Sequence, residues 1–186
     1  LVTFVDPATG ALRVATGSED KTIRVWDAET GGSFLVIDVG SSVNALVFFV
    51  DPATGAPRLA CGSGDGKVRV FDAVAGGEAL VVIDVGAIVR ALEFFADPAT
   101  GAPRLACSAG GSDSDSDSDS GSDSDSGPSG EVSIFNPVFG GDALVVIDVG
   151  SDAMALAVFA NPATGELRLA CGCGDGKVRI YDPIAG

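Results

Sequence analysis

Asp20, Asp65 and Asp175 occupy one place in three near-copies of a single string. Recurring carboxylates of this kind are candidates for general acid–base work. The chain contains no His, so neither a Ser-His-Asp triad nor a Cys-His pair can form within it. One acid per repeat, set in a turn-forming string, points instead to a structural role in which the side chain accepts from a local backbone N–H.

Cys61, Cys107 and Cys171 share one strand position in three repeats, where the first repeat has Thr16. Equivalent positions in neighbouring repeats stand too far apart for a disulfide or a shared metal. Small residues of a packed core are the better reading, and no metal or cofactor is expected. Cys171 and Cys173 are taken to point to opposite faces of their strand. Unpaired cysteines favour a reducing compartment, hence a cytoplasmic location. The glycines from Gly62 to Gly66 lack the Gly-Lys-Ser/Thr close and the following helix of a phosphate loop.

Residues 111–128 hold eight Ser, six Asp, three Gly and one Pro, with no apolar side chain. Such a run cannot bury a core and is expected to be a disordered acidic insert. Ser followed by Asp at +1 and +3 suits acid-seeking kinases, which makes Ser112, Ser114, Ser116 and Ser122 candidate phosphorylation sites. The run would equally dock a basic partner. Weak calcium binding is disfavoured, because calcium sites use fixed ligand geometry. A tolerated low-complexity expansion of a surface loop is the plainest alternative.

The net charge is -15, from 26 acidic and 11 basic residues. This argues against nucleic acid and against anionic membranes. A protein or peptide partner, basic if charge decides, fits better, and a small-molecule substrate is disfavoured. No apolar run reaches the ~20 residues of a membrane-spanning helix.

These residues are carried by a repeat. Asp6-Pro7-Ala8-Thr9-Gly10 returns at 51 and 97, and as Asn161-Pro162-Ala163-Thr164-Gly165, at spacings of 45, 46 and 64. Trp26-Asp27, Phe71-Asp72, Phe135-Asn136 and Tyr181-Asp182 mark the same period, which one insertion lengthens. Each period predicts four strands. In the second these are a from Val43 to Phe49, b from Arg58 to Ser63, c from Lys67 to Asp72 and d from Ala79 to Asp84, with a turn at Gly76-Gly77. Both faces of the strands are apolar, as in sheets stacked radially. Almost no helix is expected.

Gly62-Ser63-Gly64-Asp65-Gly66-Lys67-Val68-Arg69-Val70-Phe71-Asp72, with its counterparts ending at Asp27 and Asp182, resembles the close of a WD repeat. The resemblance covers the chain outside the insert. It implies an all-β, WD-repeat-like propeller of about four blades (approximately 1–40, 41–86, 87–150 and 151–186), incomplete or open. The insert occupies the b–c turn of blade 3. The family's Gly-His before strand a is missing, and only Ser18, Asp20 and Trp26 match members of the family's buried hydrogen-bond chain. The frame reads as a fragment of a longer protein. A closed four-bladed ring, or a dimer of eight blades, is the other arrangement.

Most positions barely change between repeats, but one position just inside strand a does, and Ser41, Ser42, Ala87, Ile88, Ser151 and Asp152 before it vary too. Val43-Asn44-Ala45-Leu46, Val89-Arg90-Ala91-Leu92 and Ala153-Met154-Ala155-Leu156 differ mainly at the second residue. The resemblance puts this end of strand a on the top surface near the central channel. Asn44, Arg90, Met154, Ser42, Ile88 and Asp152 are the expected partner-binding patch, with drift at a tolerant position as the equal alternative. The function expected is a non-catalytic protein- or peptide-binding scaffold. The alternatives are part of a propeller enzyme whose catalytic residues lie elsewhere, or a non-functional gene fragment.

Overall fold

Alternating β-branched and aromatic residues between Pro- and Gly-bearing turns fold each repeat into one antiparallel sheet. The structure is a computed structural model and describes residues 1–111 and 130–186. The residues 112–129, with the four candidate phosphorylation serines, lie outside the described residues.

Blade 1 comprises β1 (Val2–Val5), β2 (Leu12–Gly17), β3 (Thr22–Asp27) and β4 (Ser33–Asp38). Blade 2 comprises β5 (Val43–Val50), β6 (Pro57–Ser63), β7 (Lys67–Asp72) and β8 (Gly76–Asp84). Blade 3 comprises β9 (Val89–Ala96), β10 (Pro103–Ala109), β11 (Glu131–Phe135) and β12 (Val145–Asp148). Blade 4 has three strands, β13 (Ala153–Ala160), β14 (Leu167–Cys173) and β15 (Val178–Tyr181). Each sheet keeps sequence order from first strand to last. First strands pack on one another from blade to blade, β1 on β5, β5 on β9 and β9 on β13, so they line the inside of the arc.

The Asp-Pro-Ala-Thr-Gly turns close at one end of the blades. Asp6 Oδ1 accepts from Ala8 N at 2.9 Å and Asp6 Oδ2 from Thr9 Oγ1 at 2.8 Å, and Asp51 repeats both bonds. The first arginine of strand b clasps the acid that ends strand c: Arg13–Asp27 at 2.7 Å and Arg58–Asp72 at 2.8 Å.

Three cores lie between the blades. Ala15, Ile23, Val25 and Ile37 of blade 1 meet Leu59, Cys61 and Phe71 of blade 2. Ala60, Val68, Val70 and Ile83 meet Leu105, Cys107 and Phe135 in the same way. Ala106, Val132, Ile134 and Ile147 meet Leu169 and Cys171. Blade spacing is set by small residues of strand b. A Cβ on Gly17 would overlap Val43 Cγ1, and one on Gly62 would overlap Val89 Cγ1. At the third junction the sizes exchange: Ser108 replaces the glycine and Ala153 replaces the valine, both buried. The far face of blade 4 has no neighbour among the described residues. Val178 is 70% exposed and Ile180 51%, whereas their counterparts Val68, Val70, Val132 and Ile134 are at most 2% exposed.

Three expectations need correction. Gly76-Gly77 is not a turn but the start of β8, with φ of 65° and 87°. The chain reverses earlier, where Asp72 Oδ1 accepts from Val74 N and Ala75 N at 3.0 and 2.9 Å. Cys171 and Cys173 do not face opposite ways. Residues two apart on a strand share a face, and both sulfurs lie in the core between blades 3 and 4. Finally, the strand-b hydroxyl that meets Trp26 belongs to Thr16, not to Ser18, which the resemblance had matched to the family's hydrogen-bond chain. Trp26 Nε1 donates to Thr16 Oγ1 at 3.0 Å, while Ser18 Oγ accepts from Asp20 N at 3.2 Å.

Candidate functional site

The end of the arc opposite the Asp-Pro-Ala-Thr-Gly turns carries the b–c turns and the starts of the inner strands. Hydrogen bonds tie the two together: Val43 N to Ser18 O at 3.1 Å, Gly64 N to Ser42 O at 3.0 Å, Gly110 N to Ile88 O at 3.1 Å and Gly174 N to Asp152 O at 2.9 Å.

Each variable second residue of strand a sits in a β-bulge. Val43 pairs with Ser63 and Ala45 with Gly62, so Asn44 is opposite no residue. Val89 and Ala91 pair with Ala109 and Ser108, passing over Arg90. Ala153 and Ala155 pair with Cys173 and Gly172, passing over Met154. A bulge releases one residue from the ladder and re-aims its side chain. This accounts for unlike side chains standing at one position.

The bulged residues converge. Asn44, Arg90 and Met154 line one cavity of about 430 Å³ with Ile88, Glu19 and Ser18. Asn44 Nδ2 donates to Val89 O at 3.1 Å and so links blade 2 to blade 3. An adjoining cavity of about 600 Å³ shares Asn44, Ile88 and Glu19 and adds Ser42, Lys21 and Asp65. Asp152 lines neither cavity. It packs against Gly110, where a Cβ would stand 2.7 Å from Asp152 Oδ1. Gly111 and Gly130, the described residues flanking 112–129, lie at this end too. A Cβ on Gly111 would stand 3.6 Å from Arg90 Nη2, and one on Gly130 would stand 2.7 Å from Ser151 N.

The recurrent turn acids are clamped. Asp20, Asp65 and Asp175 accept from the backbone N–H two residues on, at 3.1, 3.3 and 3.2 Å. Each also pairs with the arginine four residues on, at 2.6, 2.6 and 2.8 Å. The Thr22 hydroxyl, then Arg24, hold Asp20 far below the usual carboxylate range. Arg179 holds Asp175 down to about 2, and Arg69 lowers Asp65. Carboxylates so stabilised as anions are weak bases near neutral pH. Burial pushes the thiols up, Cys107 to about 12 and Cys61 and Cys171 to about 11, which makes them poor nucleophiles. Among the described residues, no three of His, Cys, Asp and Glu group as a metal site, and no helix is long and apolar enough to cross a membrane.

Two features escaped the sequence reading. The bulges leave no signature in residue type. Lys21 does: it has φ 70° where Gly66, Gly130 and Gly176 of the other blades have 77°, 86° and 80°. The aligned strings display that exchange of Gly for Lys.

Residues 2–27 and 36–72 match the family described as WD domain, G-beta repeat. No curated protein has significant sequence similarity to the chain. Solved structures share its fold. BBS1N, in a crystal structure of its complex with ARL6DN, is 14% identical with a TM-score of 0.68, covering 98% of this chain and 50% of that one. A chain of a mitotic checkpoint complex is 19% identical with a TM-score of 0.65, covering 91% and 47%. Saccharomyces cerevisiae Sqt1 is 16% identical with a TM-score of 0.67, covering 97% and 45%. The chain spans about half the length of these structures.

Proposed function

We propose that this chain of WD repeats is a non-catalytic scaffold that captures a protein or peptide at the end of the arc where the inner strands begin. The observation that carries this reading is the convergence of three bulged, chemically unlike residues, Asn44, Arg90 and Met154, on one cavity. Repeat positions that build the scaffold stay alike from blade to blade. Positions freed from the ladder and aimed at a shared opening can differ without cost to the fold, and recognition needs such differences. The lowered turn acids and raised thiols support a binding role over catalysis. Two of the similar structures come from protein complexes, which favours a protein partner for this chain as well.

The Ser-Asp run connects to the blade at Gly111, near Arg90, and at Gly130, near Ser151. It would tune affinity through its charge, and phosphate on Ser112, Ser114, Ser116 or Ser122 would deepen that charge by about -1.5 to -2 per site.

The test is capture from cell extract by the immobilised chain. Arg90→Glu and Met154→Ala should each lose a protein that wild type retains, while Thr54→Ala at the opposite end keeps it. Equal capture by all of them would refute the assignment of this end.

A further inference from the structure

Nine of the eleven Lys and Arg side chains pair with Asp or Glu, and among the described residues only Lys21 and Arg90 do not. Both line the cavities of the proposed binding end, Lys21 the larger and Arg90 the smaller. In a chain with net charge -15, cations without an ion-pair partner are the exception, and both stand in adjoining cavities at one end of the arc.

Each is also held at a cost that the fold itself does not require. Arg90 Nε is buried without a hydrogen-bond partner. Arg13 has the same unpartnered Nε, but its Nη1 donates to Asp27 at 2.7 Å. Among the described residues, neither Glu19, which lines the same cavity, nor Asp152 forms an ion pair with Arg90. Lys21 holds the left-handed backbone that glycine supplies in the other three blades. Strain and unmet donors that persist at an opening are what a ligand-recognising surface retains.

We infer that this end recognises an acidic segment of a partner polypeptide, with a carboxylate gripped by Arg90, a second acid attracted by Lys21, and an apolar side chain between them on Ile88, which lines both cavities. The inference rests on the scaffold reading above and names the partner's chemistry. A carboxylate drawing the guanidinium toward the cavity can accept from Nε and Nη together, which supplies the acceptor that Nε lacks. The two cations line different cavities. A doubly charged phosphate favours clustered arginines, so separate carboxylates along a peptide fit better. The overall negative charge does not forbid this. At physiological salt, exposed charges beyond about 8 Å are largely screened, so the acids that compete with a partner carboxylate are Glu19 and Asp65, which line these cavities, and Asp65 is already paired with Arg69.

The experiment is selection of a random dodecapeptide display library on the immobilised full chain, on Arg90→Gln and on Arg24→Gln, whose arginine is already paired with Asp20. Wild type and Arg24→Gln should enrich peptides with Asp or Glu beside an apolar residue. Arg90→Gln should lower the capture of those peptides about tenfold or more, as loss of a charge-assisted contact does. If a chain lacking residues 112–129 enriches the same peptides more strongly, still through Arg90, the acid preference stands and the run competes for the same cation. Peptides that enrich without acids but are lost on Asn44→Ala or Met154→Ala would overturn the acidic class and leave the binding end intact. Enrichment indifferent to all of these residues would overturn both.

Discussion

Trp26 Nε1 donates to Thr16 Oγ1 across β2 and β3 at 3.0 Å. The same strand position holds Cys61, Cys107 and Cys171 in the blades whose strand-c aromatic is Phe71, Phe135 or Tyr181. Only the indole needs an acceptor there, and only blade 1 supplies a hydroxyl. Removing the hydroxyl leaves a half-buried N–H unpaired. Thr16→Val should therefore destabilise the chain by about 1–2 kcal/mol in urea unfolding. Thr16→Cys with Trp26→Phe, which reproduces blade 2, should recover most of that loss. An additive double variant would mean that the pair is not coupled.

The Gly62–Val89 contact fixes the spacing of blades 2 and 3. Gly62→Ala forces a methyl into Val89 and should cost about 1–3 kcal/mol, as overpacking does. Val89→Ala in the same chain should relieve a large part of it, because Ser108 against Ala153 already tolerates that exchange at the next junction. Thermal melts of the two single variants and the double variant measure the coupling.

Equal truncations should give unequal losses. Val68 is fully buried and Val178 is 70% exposed at the corresponding strand position. Val68→Ala should cost about 2 kcal/mol, and Val178→Ala less than about 0.5 kcal/mol. Similar losses would mean that blade 4 is covered in solution.

Acid should unfold the chain through the turn pairs. Arg179 lowers Asp175 to about 2, and Arg69 lowers Asp65. The folded state thus binds protons less readily than the unfolded chain, whose aspartates titrate near about 3.9. The stability these pairs contribute is complete above that pH and is lost as pH falls from there through the folded values. Urea midpoints should be nearly level from pH 7 to 5 and fall below pH 4. Asp175→Asn should flatten part of the fall.

Much of the fold was legible in advance because period and turn chemistry are written in residue type. Asp-Pro-Ala-Thr-Gly marks the a–b turns, and Gly-Asp-Gly-Lys marks the b–c turns. The start of β8 was not legible, since a Gly-Gly pair reads as a turn from residue type alone, whereas here it opens the strand with left-handed φ. The binding end was half legible. Variation at Asn44, Arg90 and Met154 pointed to it, but the reason lies in bulges, which depend on pairing across strands. The arginine clamps on Asp20, Asp65 and Asp175 were missed for the same reason, because a four-residue separation reads as contact on a helix and here arises from a hairpin.

The most direct test of the central claim places a photo-crosslinking residue at each end of the arc. Met154 is 52% exposed at the proposed binding end, and Phe139 is 83% exposed at the other. With p-benzoylphenylalanine at 154, irradiation in cell extract should join the chain to a discrete polypeptide, and the same substitution at 139 should not. Capture at 139 and none at 154 would show that exposure, rather than the bulged cavity, selects the partner, and would contradict the account.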